Sequence, residues 1–416
     1  MKQNVWIINH YASGMLFDKG GRHYNIAKWL KQAGYEPVVF CANSKHNASG
    51  VYFENNALWH AHTAEEIDTP FVFVRARAYE GSGKQRILNM VDFYRNVKKT
   101  AKEYARQHCK PDMICASSVH PLTLVAGIRL AKCFGVKCIC EIRDLWPESI
   151  VAYGIAGPKN PIVVALRMLE RWIYKNADAV VFTMEGAYDY IIEQGWEKDI
   201  PRSKVHYINN GVDLDLFHYN REHYQIHDED LEDPDTFKVV YTGSIRKVNN
   251  LGLLLDAAKQ VTAPHVKFLI WGDGDELPAL KQRLTDENIQ NVVFKGKVEK
   301  KYVPYIVSLA DWNFMHGTAN ALFRFGISPN KMFDYFAAER PLLMDIQAKY
   351  NPVVEFNCGL CGENREEILR NIQNAIEMPK EQYQQMCRNA ARAAEEFDFK
   401  RLTQKLERII KGGDMT

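Results

Sequence analysis

Val5-Trp6-Ile7-Ile8-Asn9, a loop from His10 to Gly20-Gly21, a helical run with Ile26, Ala27, Leu30 and Ala33 along one side, and Pro37-Val38-Val39-Phe40-Cys41 open the chain. An apolar run, an amphipathic helix and a second apolar run form a βαβ unit, which joins parallel strands and puts helices on both faces of their sheet. The alternation continues. Apolar runs at 71–74, 113–116, 138–142 and 179–183 read as strands, with helices over about 85–107, 121–134 and 161–176 between them. A turn cluster, Asn209-Asn210-Gly211-Val212-Asp213, is followed at 218–235 by an acid-rich stretch without apolar period. The pattern then restarts, with strands at 239–242, 266–271, 292–295, 313–316 and 342–345 and helices near 250–260, 276–285, 300–310 and 330–339. From 364 onward the chain is helical and ends on a stripe of Leu402, Leu406, Ile409 and Ile410.

This predicts an α/β protein of two Rossmann-like domains, 1–217 and 218–395, facing each other across a cleft, with a C-terminal helix at 396–416 packing back toward the first domain. A length of 416 residues exceeds one typical core. Ligands of open α/β sheets sit beyond the carboxyl ends of the strands, so strand-end residues are the candidates for chemistry.

With 46% hydrophobic and 25% charged residues the composition is that of an ordinary globular protein. The net charge of +2 hides an asymmetry: residues 1–217 hold 27 Lys and Arg against 22 Asp and Glu, and residues 75–110 alone hold ten bases and three acids. That is a local patch, not a nucleic-acid-binding composition. Lys84 to Lys110 reads as a basic amphipathic helix, with Ile87, Val91, Tyr94, Val97, Ala101 and Tyr104 on one face and Arg95, Lys98, Lys99, Lys102 and Arg106 on another. Its basic face is either solvated or drawn to anionic lipid head groups. The nine cysteines are scattered and odd in number, which indicates reduced thiols. Cys358-Gly-Leu-Cys361 lacks the second pair that a zinc site needs, so no metal is expected there. The N-terminus is too polar for a signal peptide and no apolar run spans a bilayer, so the expected location is cytoplasmic, with any membrane contact peripheral on the inner face.

Gly326-Ile327-Ser328-Pro329-Asn330-Lys331-Met332-Phe333-Asp334-Tyr335-Phe336-Ala337-Ala338 joins a loop to a helix and puts a lysine and a carboxylate at its start. Pro329 fits the first turn and Ser328 can cap it. The unpaired amides attract an anion, Lys331 adds a charge, and Asp334 offers two acceptor oxygens to sugar hydroxyls. A diphosphate beside a ribose satisfies both; a capped helix with Met332, Phe333, Phe336 and Ala337 packed inward is the plain alternative. Tyr241-Thr242-Gly243-Ser244-Ile245-Arg246-Lys247 places a glycine, a hydroxyl and two cations after a strand, where either a diphosphate or solvent meets them. Trp271-Gly272-Asp273-Gly274-Asp275 is read as a turn, not a DxD metal site. Gly20-Gly21 precedes a helix and lets backbone approach a phosphate, but GxGxxG and GxxxxGK[ST] are both missing. Glu141-Ile142-Arg143-Asp144-Leu145-Trp146-Pro147-Glu148 crowds charges beside a tryptophan at a strand end, where Arg143 either pairs with Asp144 or Glu148 or serves a site. His120 is a cap or a cleft residue.

Taken in order, these segments resemble family-four glycosyltransferases of the two-Rossmann GT-B architecture, in the branch that builds bacterial capsule, O-antigen and exopolysaccharide. The resemblance rests on Gly20 to Tyr24, Ser118 to Pro121, Glu141 to Glu148, Asn210 to Asp213, Gly243 to Lys247, Gly272 to Gly274 and Ser328 to Tyr335. It implies retaining transfer of a hexosyl or N-acetylhexosaminyl group from a nucleoside-diphosphate sugar, a UDP-sugar by preference, to a glycan or lipid-linked acceptor, with no metal and no cofactor. The donor would be held by the C-terminal domain and the acceptor by the N-terminal one. On this resemblance Lys247, Lys331 and His120 are catalytic, and Asp334 takes the ribose hydroxyls. Gly20, Gly21, Gly243, Ser244, Arg246, Gly296, Val298 and Asn330 complete the donor site, while Arg143, Asp144, Trp146 and Glu148 lie on the acceptor side. The family's pair of glutamates with seven residues between them would place acids at 326 and 334, but this chain has Gly326 and Asp334; Glu339 also replaces a usual glycine. A UDP-sugar 2-epimerase of the same architecture and a non-catalytic sugar-nucleotide-binding partner of another transferase are the rival readings.

Overall fold

A computed structural model describes residues 2–413 except Asn55, Ser82 and Val119. The chain divides into two compact units, Met1–Asn209 with Leu402–Thr416, and Asn210–Arg401.

The first unit is built on eight strands, β1 (Asn4–Ile8), β2 (Glu36–Ala42), β3 (Trp59–Ala64), β4 (Thr69–Val74), β5 (Met113–Ser117), β6 (Lys137–Ile142), β7 (Ala179–Phe182) and β8 (Val205–Tyr207), in the order β3-β4-β2-β1-β5-β6-β7-β8. All neighbours pair parallel except β3, which runs antiparallel to β4. Trp6 stands opposite both Val38 and Ile114, so the apolar run at 5–8 is central and buried on both faces. β3 escapes the apolar pattern because Trp-His-Ala-His-Thr-Ala lies at the edge with three exposed residues, and β8 because it has only three residues.

Helices Lys84–Gln107, Pro121–Phe134 and Pro161–Asn176 pack side by side. Gly127 makes one of these packings possible: a Cβ there would stand 2.4 Å from that of Ala116 on β5. The buried side of the 84–107 helix is Met90, Phe93, Val97, Ala101 and Tyr104; Ile87, expected to face inward, is 60% exposed. The helix Phe399–Ile410 carries Leu402, Leu406, Ile409 and Ile410 as buried residues, and Leu406 lines a small internal space with Ile26 of the Arg22–Gln32 helix.

The second unit holds β9 (Phe237–Thr242), β10 (Val266–Trp271), β11 (Val292–Gly296), β12 (Trp312–Met315), β13 (Leu342–Met344) and β14 (Gly359–Cys361), all parallel, in the order β11-β10-β9-β12-β13-β14. Its boundary lies at 209/210, not 217/218. The stretch 218–235 is not featureless: Leu214–His223 is a helix capped by Asp213, which accepts from Leu216 N. Glu229–Glu232 forms one more turn. The acids there are used locally, Asp228 and Asp230 holding Lys295 at 2.7 and 2.6 Å. Carboxylates satisfied by lysines on a neighbouring strand show no apolar period, so the pattern could not reveal them.

Candidate active site

In the second unit, the strand ends and the helix Asn330–Ala337 converge on one position. After Thr242 the chain turns through Gly243, at φ +143°, a conformation that favours glycine. A Cβ at Gly243 would lie 2.7 Å from Lys331 Nζ, so this glycine leaves the room that the ammonium occupies. Lys331 donates to Tyr241 Oη at 2.7 Å and lies 4.0 Å from the centre of that ring. The Tyr241 hydroxyl in turn donates to Ser244 O at 2.8 Å. Tyr335, one residue past Asp334, accepts from Thr242 N at 3.0 Å and fixes the helix start to the end of β9.

The loop after β10 supports this arrangement. Gly272 and Gly274 lie directly against Gly243 and Ile245: added Cβ atoms would come within 1.8 Å of Gly243 O and 2.0 Å of Ile245 O. The Trp271–Asp275 segment is therefore a turn, and its glycines serve close backbone packing.

The helix starts at Asn330, with Pro329 at the cap position, and Ser328 does not cap it. Ser328 Oγ instead accepts from Asn210 N at 3.3 Å, and Ser328 O accepts from Asn210 Nδ2 at 3.2 Å. Among the described residues no side chain caps the helix; Met332 N donates to Pro329 O at 3.2 Å, and the amides ahead of it are the ones open to an anion. Desolvation lowers Lys331 to about 7. Burial raises Asp334 to about 6 against the opposing charge of Lys300, and the Asp334 carboxylate makes no hydrogen bond or close ion pair among the described residues.

The other donor-side residues are more dispersed. Lys247 lies exposed in the turn Lys247–Asn249, and among the described residues no contact joins its ammonium to Lys331 or Asp334. Ser244 receives Asn249 Nδ2 on both its carbonyl and its hydroxyl, while Arg246 and Asn330 are exposed. Gly296 ends β11 at φ +83°, accepts from Gly272 N at 2.8 Å and has open space where a side chain would be. Val298 packs beside the cluster containing Trp271. Gly326 is buried at φ +112°, so a carboxylate residue at this position would be strained. The sequence reading treated His316 and Asp345 only as strand ends; they form a buried pair just beyond β12 and β13, within reach of the Lys331 charge. The only available signal was the polar residue closing each apolar run.

In the first unit, Gly21 stands at φ +94° ahead of the Arg22–Gln32 helix, and Gly20 N donates to Met15 O at 3.2 Å. Arg22 and His23 run inward to Glu141, at 2.7 and 3.1 Å. Asn9 Nδ2 donates to His23 Nδ1 at 3.0 Å, and Ser117 Oγ donates to Glu141 at 2.7 Å. Burial would push Glu141 up, but the charges and hydrogen bonds of Arg22 and His23 hold it well below the usual range. Burial lowers His23, against the hydrogen bond and charge of Glu141.

Among the described residues Arg143 pairs closely with neither Asp144 nor Glu148: its amide donates to Ser118 Oγ at 3.0 Å, and its buried Nε has no hydrogen-bond partner there. Glu148 is engaged by Arg167 at 2.7 Å. Asp144 and Trp146 line a small crevice with Ser118 and Pro121. His120 is buried, its Nε2 is 2.8 Å from His10 Nδ1, and desolvation lowers it to about 3, so the ring is neutral. Around it gather Tyr11, His46, Tyr79 and Arg86, none of which was singled out from sequence. They come from four separate segments that only the fold unites.

Residues 22–216 match the family model "Glycosyltransferase Family 4", and residues 236–378 match "Glycosyl transferases group 1". Together with the fold, these matches make the chain a glycosyltransferase of the GT-B class. Among curated relatives, the probable glycosyltransferase WbjE of Pseudomonas aeruginosa is 21% identical over 67% of this chain and 68% of its own length. The putative teichuronic acid biosynthesis glycosyltransferase TuaH of Bacillus subtilis is 26% identical, with half of each chain covered. Among solved structures, Anabaena Alr3699/HepE in complex with UDP and glucose has a TM-score of 0.64 at 17% identity, covering 99% of this chain and 100% of that one. The E. coli trehalose-6-phosphate protein bound with UDP-2-fluoro glucose has a TM-score of 0.72 at 10% identity, covering 98% and 99%.

Proposed function

We propose that this glycosyltransferase moves a hexosyl or N-acetylhexosaminyl group from a UDP-sugar to a lipid-linked glycan acceptor in bacterial surface-polysaccharide synthesis, with retention of anomeric configuration. The observation that carries the donor half is the arrangement of Lys331 and unpaired Asp334 on an uncapped helix start beside Gly243. A diphosphate suits the first group and a ribose diol the second. The UDP complexes of HepE support a uridine donor, and the name of TuaH supports a surface-polysaccharide role.

The chemical difficulty is the departure of a nucleoside diphosphate, whose oxygens gain charge as the glycosidic bond breaks. Preorganised positive groups at that point stabilise the transition state more than the ground state. Lys331 and the helix amides supply this charge, with Lys247 joining them from its exposed turn when donor binds. A retaining hydrolase would need two carboxylates about 5 Å apart. Gly326 removes one of the two acids expected from the resemblance, so attack on the face of the departing phosphate, with that phosphate taking the acceptor proton, fits this residue set. His120, neutral and anchored by His10, acts by hydrogen bonding, not as a base. The same cations and amides underlie the proposal that transfer proceeds without metal.

The test is to incubate purified protein with UDP-, GDP- and dTDP-sugars, with and without a membrane lipid extract. Acceptor-dependent nucleotide release supports transfer, whereas isomerised donor without acceptor identifies an epimerase and binding without turnover a non-catalytic partner. Lys331→Ala should lower kcat about 10²–10³-fold at saturating donor and acceptor; near-normal turnover would refute the role given to Lys331.

A further inference from the structure

The carboxyl ends of the first unit's strands carry a group of residues that the chemistry described so far leaves unused. Tyr11 follows β1, His46 follows β2 and Tyr79 follows β4, while Arg86 stands in the first turn of the Lys84–Gln107 helix. An isolated bridge pairs Ala48 with Tyr79, so the loops after β2 and β4 are fastened together. Tyr79 Oη lies 2.7 Å from His46 Nδ1, the Tyr11 and His46 rings are 4.4 Å apart, and Arg86 Nε donates to Tyr11 Oη at 3.4 Å. Tyr11 and Arg86 are half-buried and His46 is exposed, so the group is open to a ligand.

Its charge is not balanced. Among the described residues Arg86 has no carboxylate in ion-pair contact, since Arg77 holds Asp92 at 2.6 Å and Glu80 accepts from Ser49 N at 2.9 Å. Asp144, after β6, lies in the field of both Arg86 and Arg143 and makes a close pair with neither among those residues. Arg22, Arg86 and Arg143 thus face only two carboxylates, Glu141 and Asp144. His10, His46 and His120 add no charge at neutral pH, because burial and the Arg86 charge lower all three. A base in a helix's first turn is also opposed by the positive end of that helix, and this first turn holds no acid. An anion set against Arg86 reverses that cost.

The surroundings narrow the kind of anion. One uncompensated charge matches a carboxylate, whereas a phosphate monoester brings nearly two. The guanidinium fork suits the paired oxygens of a carboxylate. Beside it, the faces of Tyr11 and His46 offer flat apolar area and the tyrosine hydroxyls offer polar contacts, the mixture that a sugar ring requires.

We propose that Arg86, with Tyr11, His46 and Tyr79, binds the carboxylate of a hexuronic acid, carried either by the acceptor or by the transferred sugar. The pyranose rests against Tyr11 and His46 while its carboxylate meets the guanidinium. Which substrate bears the acid rests on the transferase reading; recognition of the acid itself does not.

The test is calorimetry and ligand-observed NMR on the full chain, with methyl glucuronide against methyl glucoside and with UDP-glucuronate against UDP-glucose. The carboxylated member of at least one pair should bind about tenfold or more tightly. A preference among the free glycosides assigns the carboxylate to the acceptor, and one confined to the UDP-sugars assigns it to the transferred sugar. Arg86→Gln should erase the preference and Arg86→Lys should restore part of it, with the melting temperature of both variants at the wild-type value. Equal binding within both pairs overturns the proposal, as does a preference that survives Arg86→Gln or tighter binding of glucose 6-phosphate than of either glucuronide. A wild type that shows no thermal shift with UDP, yet prefers methyl glucuronide, sinks the donor reading and leaves this one standing.

Discussion

Asp334 and Lys331 titrate close to neutrality, so donor binding should report them directly. On the proposed donor reading, below about 6 Asp334 takes up a proton and loses its full capacity to accept ribose hydroxyls, and above about 7 Lys331 sheds the charge proposed to hold the diphosphate. Affinity for a UDP-sugar measured by calorimetry should therefore rise with pH through the first value and fall through the second. Asp334→Asn should flatten the acid limb and Lys331→Arg the alkaline one; a flat wild-type profile would refute both assignments.

Glu170 gives a separate titration that concerns stability. Burial raises it to about 8, even though Tyr174 and Tyr190 each donate a 2.7 Å hydrogen bond to its carboxylate. The folded state keeps this proton after the unfolded chain has lost it, so the unfolded state binds fewer protons and stability falls as pH rises from about 4.5 to about 8. Glu170→Gln, which mimics the protonated carboxyl, should flatten that slope and raise stability near pH 8 by up to about 4 kcal/mol. Thermal melts across pH would show it.

The Asn330–Ala337 helix is stabilised by its neighbours more than by its own ends. It has no side-chain cap at the start, and at the finish Glu339 takes the left-handed conformation, φ +57°, that this position usually gives to glycine. Glu339→Gly should stabilise the second unit by about 0.5–1 kcal/mol in urea unfolding, with donor affinity unchanged. The missing glycine and the missing acid thus have different standing. Glu339 costs stability at an exposed turn, whereas Gly326 answers a backbone that any carboxylate residue would strain. Ser328 shows how an element's sequence signal can be overruled: its hydroxyl suits a cap, but Asn210, remote in sequence, claims it. Similarly, the Lys84–Gln107 helix was legible as amphipathic, yet the buried line proved to include Met90 and Phe93 in place of Ile87, because helix period alone leaves the rotation uncertain by about one residue.

The first unit takes residues from both ends of the chain. Truncation after Arg401 would remove Leu402, Leu406, Ile409 and Ile410, each at most 8% exposed. At about 1.5–3 kcal/mol per buried side chain, the loss rivals the whole stability of an average domain. Such a chain should lose one calorimetric transition and yield its first unit to trypsin, while residues 210–401 keep theirs; two intact transitions would show that the terminal helix is dispensable.

The repeated alternation of apolar runs and helical periods, the polar residues that follow each strand, and the lysine and carboxylate at 331 and 334 stand in the linear sequence. They established two parallel-sheet units and singled out the lysine and carboxylate that the proposed donor site uses, because periodicity and strand-end position are local properties. Only the tertiary structure decided which charges are already occupied. Glu141 is held by Arg22 and His23, and Glu148 by Arg167, while Asp334 has no close partner among the described residues, since pairing depends on distances between residues far apart in the chain. The histidine and tyrosine cluster around His120 was likewise invisible, because burial is set by what packs on each side chain and no single segment carries that information.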